Sequence, residues 1–172
     1  MQALQVLGDE KEFFNIYVPA NLHTICDRQL NAMRVGKSRQ VSLILSAYGT
    51  APVLRCLRLH FIWLKMLNLY SWSETEIDNL AMAILRTVEA RLLDWISLLG
   101  FFRDIADGRI TLYGGSHRDV MQAFQNYFKT ARNNDIRLRA ILEDEKRKAE
   151  APHERVKKEV IEEIIKKANI LI

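Results

Sequence analysis

Between Val53 and Tyr70 the apolar residues do not keep to one side of a helix. Val53, Leu54, Leu57, Leu59, Phe61, Ile62, Trp63, Leu64, Met66 and Leu67 surround almost its whole circumference, and only Arg55, Arg58, Lys65 and His60 interrupt them. A helix apolar nearly all round is either the centre of a core or an interface with another chain. Thr50 is placed to cap it, and Pro52 falls in its first turn, where a missing N–H costs nothing. Seven glycines and three prolines in 172 residues leave too little punctuation for a many-turned β fold, so the chain reads as mainly α.

Ser73, with Glu76 three residues on, is a capping box that opens the next helix. Ile77, Leu80, Ala81, Ile84, Val88, Leu92, Trp95, Ile96 and Leu99 follow the helical period, and the pattern predicts one helix from there to Asp107-Gly108. With its predecessor it would make an antiparallel pair. Arg109 to Gly115 reads as a turn or a short strand. Ser116 and Asp119 then mark another helix start, with Val120, Phe124, Tyr127 and Phe128 as its buried stripe. Asn133-Asn134-Asp135 is a natural point of interruption, and Ala151-Pro152 should split the charged segment 136–172 into two helices. That segment mixes Lys/Arg with Asp/Glu at i, i+4 spacing, a solvated surface laced with weak ion pairs and no nucleic-acid stripe. Val156, Val160, Ile161, Ile164, Ile165 and Ala168 give its last part a narrow apolar seam, suited to docking on a partner.

The N-terminal part differs. Phe14, Ile16 and Val18 alternate with Asn15 and Tyr17, a period-2 pattern that predicts a short strand ended by Pro19. Leu22, Ile25, Cys26, Leu30 and Met33 then recur at helical spacing up to Gly36. Val41, Ile44, Leu45 and Tyr48 share the face of a second helix, which Ser38 is placed to cap. The strand FNIYVP, the Val-Pro-x-x-Leu entry into the first helix and Gly36-Lys37-Ser38-Arg39 at the junction resemble the ribbon-helix-helix family of DNA-binding proteins. The resemblance implies a dimer whose paired strands lie in the major groove. It would place Asn15 and Tyr17 on base edges with Phe13 flanking them, and Lys37, Ser38 and Arg39 on a phosphate at a helix start. Residues 1–49 would then be a dimerisation and DNA-binding unit, followed by a helical domain over 50–172.

A net charge of +4 is compatible with nucleic acid, and the segment Arg28, Arg34, Lys37, Arg39 is locally basic without an acid. The opening MQALQVLGDEKE has no basic start and too short an apolar run for a secretory signal. The longest stretch free of charge or histidine, Gln40 to Leu54, falls short of the ~20 residues that span a bilayer. Two cysteines, Cys26 and Cys56, fit a reduced interior, so a cytoplasmic location is expected.

Catalytic patterns are missing. Gly36-Lys37-Ser38 has Asn31 where a P-loop needs its first glycine and follows a helix, while His117-Arg118-Asp119 lacks every companion motif of a kinase. No catalysis and no cofactor are expected. His23 with Cys26, and Cys56 with His60, are each spaced to share a helical face, and together could supply a tetrahedral Cys2His2 metal site. The plainer reading makes both cysteines small core residues. The expected function is a sequence-specific DNA-binding regulator or plasmid- or phage-type accessory factor, a homodimer or higher homo-oligomer on double-stranded DNA. The alternative is an all-helical scaffold subunit of a larger assembly, with protein or RNA as partner. Gly36 to Ser42 and the Leu57–Leu64 run are similar to the four-helix-bundle accessory proteins of reverse-transcriptase retroelements, which would imply a nucleoprotein complex without base readout.

Overall fold

The computed structural model of the chain describes residues 7–22, 24, 25, 29, 33 and 39–169, with residues 138, 139, 142 and 149–169 described by backbone alone. The described residues form α1 (Glu10–Ile16), α2 (Pro19–Leu22), α3 (Val41–Tyr48), α4 (Thr50–Met66), α5 (Glu74–Arg86), α6 (Val88–Leu92), α7 (Trp95–Ala106) and α8 (His117–Asn169). The chain divides into two compact units, Met1–Asp135 and Ile136–Ile172.

Helix α4 is the centre of the first unit, packing against α1, α2, α3, α5 and α7. Val53, Leu57, Phe61 and Leu64 are fully buried along it, as its all-round apolar sequence predicts. It stops at Leu67, after which Asn68 takes a left-handed conformation (φ 55°) that satisfies the helix end. Residues on both sides of Gly49, among them Phe13, Tyr17, Val41, Ile44 and Val53, feed one continuous core. The boundary expected at 49/50 therefore does not divide the core, and the division falls after Asp135.

The expected strand at 14–18 is a correction: Phe14 to Ile16 finish α1, and no strand occurs among the described residues beyond an isolated bridge between Gln40 and Asp94. Asp9 starts the helix, its carboxylate accepting from the Lys11 and Glu12 backbone N–H groups. Once the helix forms, Phe13 and Tyr17 fall on one face at i, i+4 and are buried, with rings 5.0 Å apart, while Ile16 is 41% exposed. Pro19 opens α2, in keeping with its fixed φ and missing donor.

The helix expected from Ser73 to Asp107 is three. The capping box of Ser73 and Glu76 is formed, but Thr87 (ψ 146°) and then Leu93-Asp94 (ψ 154° and 147°) leave helical geometry. Thr87 closes α5 by donating to the Ile84 carbonyl and opens α6 by accepting from the Ala90 N–H. The changed phase exposes Val88 (69%) and Leu92 (43%), which the unbroken period would have buried, and buries Ala90 and Leu93.

Helix α8 begins where Ser116 and Asp119 predict, the two side chains bonding reciprocally to each other's backbone N–H. It runs on through both expected breaks. At 133–135 the tertiary contacts of Asp135 override local preference. At Pro152 the flanking Ala, Glu, Lys and Arg are strong helix formers, and one proline removes a single bond of the ladder.

Two side chains of this frame give testable costs. Tyr70 stacks on Trp72 (4.5 Å, 19°), and the Trp72 indole donates to the Gly115 carbonyl at 2.6 Å. Gly115 holds φ 68°, and a Cβ there would lie 2.7 Å from the Tyr70 ring. Gly115→Ala should lower stability by about 1–3 kcal/mol, read as a shift of the urea midpoint at unchanged slope. Asp135, 6% exposed, accepts from Ser97 Oγ at 2.5 Å and from the Asp94 N–H at 3.3 Å. Asp135→Ala strands both donors and should cost roughly 1–3 kcal/mol by the same measurement.

Candidate functional site

Phe13 and Tyr17, expected on DNA bases, are 8% and 2% exposed and pack into the aromatic cluster of Phe14, Tyr48 and Trp95. Asn15 is exposed, and its carbonyl accepts from the Asn21 amide at 2.8 Å. Burial raises the Tyr17 phenol to about 12, against a lowering influence of the Arg39 guanidinium. The Arg39 carbonyl accepts from the Trp95 N–H at 2.8 Å. Lys37 and Ser38 lie outside the described residues, so of the three expected phosphate contacts only Arg39 is placed.

Cys56 and His60 converge, as their spacing on α4 predicts, but on a backbone oxygen. The Tyr17 carbonyl lies 2.9 Å from His60 Nε2 and 3.9 Å from Cys56 Sγ, which fixes the imidazole with its proton on Nε2. Burial pushes the Cys56 thiol up to about 12, away from the thiolate that a nucleophile or metal ligand requires. His23 and Cys26 lie outside the described residues, and among those described no group of three or more His, Cys, Asp or Glu side chains is arranged to hold a metal ion.

Two surfaces stand out instead. The first is the outward side of α4. Arg55, Leu59 and Met66 lie there, with Ile62 between them half-buried and packed against the core. Arg55 is tied to Glu10 at 2.9 Å, while Leu59 (44%) and Met66 (74%) are exposed. Leu67 (45%) and Leu69 (43%) extend the apolar surface past the helix end. Arg58, on the flank, pairs with Asp78 of α5.

The second is a groove of about 720 Å³ between α7, the loop that follows it and the first turns of α8. Gly100 lowers the α7 wall, and Tyr127 is fixed in the α8 wall by donating to the Ser97 carbonyl at 2.6 Å. The charges here are internally matched. Arg103 lies 3.7 Å from Asp107, Arg109 lies 3.3 Å from Asp104 and 3.4 Å from Asp107, and Asp119 accepts from the Ser116 N–H and hydroxyl. Along α8 the groove is lined by Gln122, Asn126, Thr130 and Asn134. Sequence reasoning missed this surface because it followed the apolar stripe of the same helix. The signal was there, as uncharged polar residues every fourth position beside that stripe.

No protein-family model, curated protein or solved structure matches the chain. No helix among the described residues is long and apolar enough to cross a membrane.

The buried Tyr17 and Cys56 give the first unit an alkaline limit. Each is an acid whose folded pKa, about 12, lies above its ordinary value of 10.0 or 9.0. The folded state then holds the proton more tightly, so the stabilisation is whole below the ordinary value and is lost as pH rises through the folded one. The melting temperature should hold to pH 9 and fall between pH 10 and 12. Tyr17→Phe should make that fall shallower, and a flat wild-type profile to pH 12 would contradict the assignment.

Proposed function

We propose that the chain is a non-catalytic, all-helical subunit of a larger protein assembly, held to copies of itself through the outward face of α4. The observation that carries this reading is the exposure of Leu59 and Met66 on the helix whose other side is the centre of the core. A large apolar side chain set singly on a surface is ordinary, but a stripe continued by Leu67 and Leu69 marks a contact surface. The burial of Phe13 and Tyr17 in the aromatic cluster favours this reading over base readout, because those rings supply core packing worth about 0.5–1.5 kcal/mol per pair beyond their area. No reaction is assigned, since Cys56 and His60 are engaged with a backbone carbonyl.

Mass in solution tests this, measured over a range of concentrations beside the salt dependence of binding to random duplex DNA. Wild type should form a defined oligomer with weak duplex binding. The double variant Leu59→Lys/Met66→Lys should drop to a lower mass with its helical circular dichroism unchanged. A wild-type monomer at high concentration would sink the reading. Tight, steeply salt-dependent duplex binding would instead favour a DNA-binding role.

A further inference from the structure

We propose that the groove between α7 and α8 is a binding site for an extended, uncharged peptide segment of a partner protein. Gln122, Asn126, Thr130 and Asn134 line it at successive intervals of four residues, a rise of about 6 Å per step along α8. A β-extended chain repeats its same-side peptide groups every second residue, about 6.4–6.8 Å. The two repeats differ by less than about an ångström per step, while each step of four residues turns about 40° round α8, so neighbouring rungs, Asn126 and Thr130 foremost, meet alternate peptide groups of one segment of seven or so residues. All four side chains are of a kind suited to peptide groups: a carboxamide offers both a donor and an acceptor, as does a hydroxyl. None of the four has a hydrogen-bond partner among the described residues.

The charge of the groove selects against the main rival, a nucleic-acid strand. Its arginines face carboxylates of their own, and Asp119 adds a negative group to the wall. A phosphodiester chain gains its affinity from unmatched cations, and there is no excess of them here. A neutral backbone needs none. Tyr113, 84% exposed on the loop side of the groove, offers a ring against which an apolar side chain of the segment packs. The site uses α7 and α8 and shares no residue with the α4 stripe, so it stands or falls apart from the oligomer reading.

The probe is a phage-displayed library of random heptapeptides without Lys, Arg, Asp or Glu, panned on the full chain. Enriched peptides are then measured by fluorescence anisotropy. They should bind wild type and the control Asn133→Ala, which alters an exposed α8 residue outside the groove, equally well. Binding to Asn126→Ala/Thr130→Ala should be about tenfold weaker, the loss of two hydrogen bonds. All three positions are exposed and helical, so alanine leaves the fold intact, which circular dichroism checks. Failure to enrich any peptide, or peptides indifferent to the double variant, would overturn the proposal. So would an oligouridine probe that binds wild type and loses that binding in the same variant.

Discussion

The amino end of α7 is buried, and a buried helix start carries N–H groups that must find acceptors. Here the acceptors come from segments far away in the chain. The Trp95 N–H reaches the Arg39 carbonyl, the Asp94 N–H reaches the Asp135 carboxylate, and the Ser97 hydroxyl bonds to the same carboxylate. The Val41 N–H returns a bond to the Leu93 carbonyl. Three parts of the sequence are thereby fixed to one point, and α7 can be apolar along nearly its whole length because its polar end is satisfied from outside. Position 135 could not be a helix break under these conditions. Its side chain is already committed to another helix.

The sequence pattern was most legible where one physical requirement acted alone. The all-round apolar character of α4 announced a central helix, and Ser73 and Ser116 announced helix starts that the structure forms. It was least legible where two periods competed. Phe14, Ile16 and Val18 alternate, but Phe13 and Tyr17 also stand four apart, and the cap at Asp9 decides between the two readings by starting a helix before the alternation begins. The same holds at Thr87. The apolar period runs straight across it, yet a threonine can bond to the backbone on both sides, and that local bond sets the phase in which Val88 faces outward. The groove was hidden for a different reason, since it is made of polar residues whose meaning depends on α7 lying opposite them.

The two surfaces offer different kinds of recognition. The α4 stripe is apolar and unspecific in its chemistry, suited to a contact whose strength comes from area removed from water. The groove is polar and charge-matched, suited to a contact whose selectivity comes from the cost of leaving hydrogen-bonding groups unpaired. Under the two proposals, their separation on different helices would let one chain join an assembly and engage a further segment without competition between the two.

The breaks at Thr87 and Leu93-Asp94 also set a dimension. Left unbroken, residues 74–106 would make a rod of about 50 Å, whereas the 17 residues of α4 reach only about 26 Å. Half of such a rod would have nothing to lie against. Folding it into three pieces turns an overhang into a wrapping, one turn set by the Thr87 side chain and the other by the distant groups that hold the start of α7.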